Sequence, residues 1–172
     1  VIQQLTLVIP HIEEVTREWK NSLNEESFFY PFSRLTFFYY SQGIYDLSVS
    51  WAAEGLSATK KRLGDEHPDV ATSLNNLAEL YRSQGRYEQA EPLYQESLEL
   101  LKKLLGDEHP SVATSLNNLA GLYESQGRYE QAEVLQLQAL EIKQKVLGES
   151  HPSFAISLAY LASLYVQKGD FS

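Results

Sequence analysis

An all-α fold, a solenoid of stacked antiparallel helix pairs, is what this 172-residue sequence predicts, on three observations. The loop motif Leu63-Gly64-Asp65-Glu66-His67-Pro68 returns as Leu105 to Pro110 and, more loosely, as Leu147 to Pro152, so that Gly64, Gly106 and Gly148 stand 42 residues apart. Compared place by place, Gly64 to Leu105 and Gly106 to Leu147 are identical at 30 of 42 positions. Inside each period, apolar residues recur at intervals of three and four in two runs separated by a glycine, the pattern of a helical hairpin. One hairpin cannot bury its own apolar face, so neighbouring pairs have to stack and share a core.

Residues 1 to 24 form a leader that matches no repeat, and Pro10 is expected to break it into a short helix and a longer one. Its apolar start, Val1 to Ile9, is too short to span a bilayer and has no basic segment before it. The array then fills 25 to 172, with repeats at about 28–63, 64–105 and 106–147 and a half repeat at 148–172. The first is diverged: Tyr39-Tyr40-Ser41-Gln42-Gly43-Ile44-Tyr45-Asp46 aligns with Tyr81-Arg82-Ser83-Gln84-Gly85-Arg86-Tyr87-Glu88. It carries Thr36, Ser48 and Gly55 at places where small alanines suit helix pairing, so irregular packing is expected there. With no initiator methionine and an end at Gly169 to Ser172 in mid-repeat, the sequence reads as part of a longer chain.

In the second repeat the first helix runs from Pro68 to Gln84, with Val70, Leu74, Leu77, Ala78 and Tyr81 on one face. Proline at its first position and Gly85 past its end give start and stop signals. The second helix, Tyr87 to Leu104, puts Ala90, Leu93, Tyr94, Ser97, Leu98 and Leu101 on one stripe. Ala78 and Ala90 let the pair approach closely, while Tyr81 and Tyr87 fill the wider gaps beside them. Lysines gather at the ends of second helices, as Lys60 with Lys61, Lys102 with Lys103 and Lys143 with Lys145, where cations suit the helix dipole.

A net charge of −9 opposes attraction to nucleic acid or anionic membrane, so neither is an expected partner. With no cysteine there is no disulfide framework and no thiolate site, and a cytoplasmic setting fits best. Hydrophobic residues at 43% and charged ones at 22% are those of a folded chain.

Leu77-Ala78, Tyr81, Gly85, Tyr87 and Ala90, repeated as Leu119-Ala120, Tyr123, Gly127, Tyr129 and Ala132, resemble the signature of the tetratricopeptide repeat. The longer, 42-residue version with Gly-Asp-Glu-His-Pro and Gln-Gly-Arg-Tyr-Glu-Gln-Ala-Glu is similar to the repeats of kinesin light chains and their bacterial relatives. The resemblance implies a right-handed superhelix whose first helices line a concave groove that holds a protein or peptide ligand. It also suggests that the leader is the tail of an upstream signalling-NTPase module. In this family groove-facing places fall at Thr72, Asn75, Asn76, Glu79, Arg82 and Ser83 of the second repeat. The third repeat offers Thr114, Asn117, Asn118, Gly121, Glu124 and Ser125. Asn76 and Asn118 resemble the asparagines with which the family grips peptide backbone, beside Asn75 and Asn117 as weaker candidates. An amide side chain both donates and accepts, which suits reading main chain; the plainer reading is that these asparagines bond a neighbouring helix or face water.

The first helices of these two repeats differ at three places, Asp69/Ser111, Glu79/Gly121 and Arg82/Glu124. The last two fall three apart on one face, as though packing were held while a contact surface changed. The first repeat would bring Ser33, Arg34, Phe37 and Tyr40 to the groove, with Tyr30 near its entrance, and the last would bring Tyr160. Aromatics with an arginine have the makeup of a binding hot spot, and equally these aromatics would pack the leader as a cap.

Asp65-Glu66-His67 and its copies hold metal-ligand residue types, yet copies one repeat apart are separated by about 8–10 Å, too far to share an ion. They read as turn and cap residues, and His11 is isolated. No phosphate-binding glycine loop, nucleophile elbow or His-Glu-x-x-His is present, so neither an enzyme nor a cofactor or metal is expected. The alternative to ligand binding is a structural spacer or self-assembling regulatory arm, with weak self-association through the ends of the solenoid.

Overall fold

The structure, a computed structural model, describes residues 29 to 169 together with Glu14 and Glu18. The rest of the leader, including Pro10 and His11, lies outside the described residues, as do Phe171 and the side chain of Tyr30. Seven helices occupy the described residues: α1 (Phe29–Ser41), α2 (Tyr45–Leu63), α3 (Pro68–Ser83), α4 (Tyr87–Leu105), α5 (Pro110–Ser125), α6 (Tyr129–Leu147) and α7 (Pro152–Lys168). No strand interrupts them among the described residues. The chain divides into two compact units, up to Arg62 and from Leu63 onward, at the border between the first and second repeats.

The first unit pairs α1 with α2 in antiparallel fashion. Phe32 packs against Trp51 with ring centroids 6.2 Å apart, Ser48 Oγ donates to the Thr36 carbonyl at 2.9 Å, and the rings of Tyr40 and Tyr45 meet edge-on at 5.6 Å. The departures at Ser48 and Gly55 have a physical account. A Cβ on Gly55 would stand 3.0 Å from the Cβ of Phe32, so the missing side chain makes room for a bulky ring on the facing helix.

The second unit alternates first helices (α3, α5, α7) with second helices (α4, α6). Tyr94 Oη donates to Glu79 at 2.6 Å and Ser97 Oγ to the Ala71 carbonyl at 2.8 Å, which sets α4 antiparallel to α3. First helices run alongside one another: Asn118 Nδ2 donates to Asn75 Oδ1 at 2.9 Å, and Asn117 Nδ2 to Ser157 Oγ at 3.1 Å. Ala78, Ala90, Ala120 and Ala132 have no exposed surface, as close helix approach requires, and Leu74, Leu116, Tyr94 and Leu164 fill the layers around them.

Each hairpin turn is built alike. Gly85 adopts φ +72°, the Arg86 amide donates to the Tyr81 carbonyl at 2.9 Å and the Gly85 amide to Arg82 at 2.9 Å, which is a Schellman closure. Gly127 repeats it through Tyr123 and Glu124. The loop histidines do cap the helices: Nδ1 of His67, His109 and His151 accepts from the amides of Asp69, Ser111 and Ser153 at 3.2, 3.1 and 3.1 Å. The acidic neighbours answer lysines at the ends of second helices, Glu66 with Lys103 at 2.5 Å and Glu108 with Lys145.

One lysine departs from that scheme. Lys143, expected as a solvated helix-end cation beside Lys145, is only 5% exposed and donates to Ser157 Oγ at 2.7 Å. Its place in the preceding repeat belongs to Leu101, on the apolar stripe of α4, so the helical register carries the amine inward.

Candidate functional site

A cleft of about 300 Å³ opens on the side of the second unit where first helices lie edge to edge. Its lining takes Glu79 and Arg82 from α3, Asn117, Asn118, Gly121, Glu124 and Ser125 from α5, Gln136 from α6, and Tyr160 and Gln167 from α7. Eight of the ten are groove places named from sequence, namely Glu79, Arg82, Asn117, Asn118, Gly121, Glu124, Ser125 and Tyr160.

On the α3 side the polar groups satisfy one another. Arg82 clamps Glu79 through Nε at 2.9 Å and Nη2 at 2.6 Å, Tyr94 Oη donates to the same carboxylate, and Arg82 Nη1 reaches Ser125 Oγ at 3.3 Å. Burial works to raise the Glu79 carboxyl, but the bonds from Arg82 and Tyr94 and the charge of Arg82 outweigh it and hold the group below its ordinary value. The Tyr94 hydroxyl is pushed up, by burial first and by Glu79 second.

On the α5 side the same positions carry a different set. Gly121 replaces the carboxylate, Glu124 replaces the arginine, and Gln136 stands where Tyr94 stood, donating Nε2 to Glu124. Burial raises the Glu124 carboxyl, against the opposing bond from Gln136 and the charge of Arg82. Gln136 is 2% exposed and its Oε1 has no hydrogen-bond partner; neither does Asn117 Oδ1. The cleft exists because a residue without a side chain, Gly121, and an amide shorter than tyrosine occupy one wall.

The remaining sequence-named residues lie elsewhere. Asn75 accepts the bond from Asn118, so that pair ties two helices together, while Asn76 is exposed and outside the cleft lining. Thr72 and Thr114 are exposed and turn their hydroxyls back to the carbonyls of Pro68 and Pro110. In the first unit Arg34 is exposed, Phe37 is 70% exposed, and Tyr40 rests on Tyr45. Gln136 and Gln167 were missed. Gln136 lies on a second helix, and Tyr94/Gln136 is one of several differences between Tyr87–Leu105 and Tyr129–Leu147, so the sequence does not single it out.

A second cleft of about 280 Å³ lies between α4, the loop after it, α5 and α6, lined by Lys102, Glu108, Gln138, Glu141 and Lys145 among others. Its charges are long exposed side chains around the loop ion pairs. Among the described residues no cluster of His, Cys, Asp and Glu is arranged to hold a metal ion, and no helix is long and apolar enough to cross a membrane.

The tetratricopeptide repeat pattern matches residues 32–103, 77–145 and 111–172, which together span most of the chain. The chain belongs to the tetratricopeptide repeat family. Its structure is similar to that of BtubC (BKLC) from P. vanneervenii, 29% identical over 92% of this chain and 66% of that one, with a TM-score of 0.77. The chain thus spans just under two thirds of that protein's length. It is also similar to a Podosopora anserina putative kinesin light chain with nearly identical TPR-like repeats, 27% identical over 98% of this chain and 81% of that one, TM-score 0.75. The apo form of RapI, 19% identical over 95% of this chain and 57% of that one at TM-score 0.74, shares the fold. Comparison with curated proteins finds no match. The kinesin-light-chain-like character expected from the 42-residue spacing is therefore shown, as is the all-α repeat fold. Tetratricopeptide arrays are in general scaffolds for protein interaction.

Proposed function

We propose that this tetratricopeptide array holds a peptide or protein segment across its first helices, at the cleft between α3, α5 and α7, and performs no chemistry on it. The observation that carries this reading is the cleft itself, walled by polar side chains on three successive first helices whose opposite faces are core. Such a surface offers amide donors and acceptors to a main chain along its length, with Tyr160 as an aromatic contact at one end.

The test starts from peptides selected out of a displayed random library on the wild-type protein, with affinity measured by fluorescence anisotropy. Asn117→Ala combined with Asn118→Ala is expected to weaken the selected peptide by roughly tenfold, the loss of one or two net hydrogen bonds. Unchanged affinity in the double variant, with the fold intact by circular dichroism, contradicts a groove mechanism that uses these amides.

A further inference from the structure

The α5 wall of the cleft is short of donors. Glu124 receives one hydrogen bond, from Gln136, and has no cation paired with it among the described residues; Arg82 is already committed to Glu79. Gln136, nine-tenths buried and more, lines the same wall with its Oε1 unpartnered, and Asn117 leaves its Oδ1 unpartnered about two turns before Glu124 on α5. A buried acceptor without a donor is costly, so this wall gains from any ligand that brings several N–H groups at once.

We propose that the cleft is a receptacle for an arginine side chain of the bound segment. This rests on the groove reading above and specifies its ligand. Arg82 pairs directly with Glu79 and acts on Glu124 only through its charge, which leaves Glu124 as the carboxylate of the lining without an ion pair, and a guanidinium answers it with five donors in a planar fork. The Glu124 carboxylate and the amide oxygen of Gln136 bonded beside it are acceptors for such a fork, and a lysine ammonium offers fewer donors in a less directed geometry. The exposed ring of Tyr160, 52% accessible and on the cleft lining, offers the cation an aromatic face.

The neighbouring helix defines what flanks the arginine. Ile156, Tyr160 and Val166 of α7 stand at the groove places that Thr114, Asn118 and Glu124 hold on α5, and they are 50%, 52% and 60% exposed. Polar positions on one first helix become apolar on the next, so the segment that fits carries an apolar residue on the α7 side of its arginine.

The experiment titrates N-acetyl-arginine amide and its neutral isostere N-acetyl-citrulline amide into the ¹⁵N-labelled chain, following the side-chain amides of Asn117 and Gln136. Saturable shifts with the arginine derivative, at least about tenfold weaker with citrulline, are expected. Glu124→Gln should bring the two probes to similar weak binding while the melting temperature holds. Equal affinity for both probes in the wild type, or an arginine preference that survives Glu124→Gln, overturns the proposal. A library-selected peptide that binds, is lost on Asn117→Ala with Asn118→Ala, and contains no arginine would overturn it too while leaving the groove reading standing; a selected peptide indifferent to the asparagines removes the groove reading instead.

Discussion

Gly121→Trp is expected to weaken binding of the selected peptide by at least about 30-fold, the equivalent of 2 kcal/mol, without loss of the fold. The glycine sits inside α5, and a Cβ added to it meets nothing within 4 Å. A tryptophan side chain therefore grows into the cleft rather than into the core, and its large ring fills much of the 300 Å³ that a ligand would use. Glycine is a poor residue in a helix interior, by about 0.8–1.0 kcal/mol relative to alanine, so the replacement removes backbone freedom that the folded state has to overcome. Thermal melting should show equal or higher stability, and anisotropy should show the loss of binding. A melting point held constant with affinity also held constant would place the ligand somewhere other than this cleft.

Lys143→Met should stabilise the protein by about 1–3 kcal/mol. The amine is 5% exposed, burial holds it below its ordinary 10.5, and its one hydrogen bond goes to the neutral hydroxyl of Ser157. No carboxylate pairs with it among the described residues, so the charge is desolvated with little in return. Methionine keeps the length and flexibility of the stem and removes the charge, and Leu101 shows that the matching place in the preceding repeat accepts an apolar residue. The sign of the pH dependence follows from proton counting. Between its lowered folded value and 10.5 the amine is more protonated in the unfolded chain, so wild-type stability rises with pH across that window. Urea denaturation at pH 7 should show the gain in midpoint, and the variant should lose this part of the alkaline rise. A variant less stable than wild type at pH 7 would mean that the Lys143 to Ser157 contact holds α6 to α7.

Much of this structure was legible from residues alone because the information is periodic. The 42-residue spacing, the proline and glycine at helix ends, and the Val70, Leu74, Leu77, Ala78 stripe each depend on local chemistry, and seven helices follow them closely. The histidine caps were legible for the same reason, since a side chain two residues before a free amide has few other partners. That Asn117, Asn118, Glu79, Arg82 and Glu124 share one side of α3 and α5 was legible from the turn glycine and helical phase, and these five line one cleft.

What escaped depends on contacts between elements. Whether Asn75 meets a ligand or Asn118 is decided by how close two first helices lie, and that distance is set by packing rather than by any residue near Asn75 in sequence. Tyr94 and Gln136 approach the cleft from second helices, across the pair, so a reading confined to first helices could not find them. Lys143 looks like its neighbour Lys145 because both stand near the end of a second helix; the two places between them in helical phase send one amine inward and the other to Glu108. In the first unit, Gly55 resembled a flaw in the pattern until the ring of Phe32 was seen against it.

The most direct measurement for the central claim is the pattern of backbone and side-chain amide shifts when a library-selected peptide is titrated into the ¹⁵N-labelled protein. Saturable changes centred on Asn117, Asn118, Gly121 and Gln136, with the exposed face of α4 and α6 unmoved, are the predicted result. Changes gathered instead around Gln138, Glu141 and the loop at Glu108 would put the ligand in the opposite cleft and contradict the assignment of the first helices as the binding face.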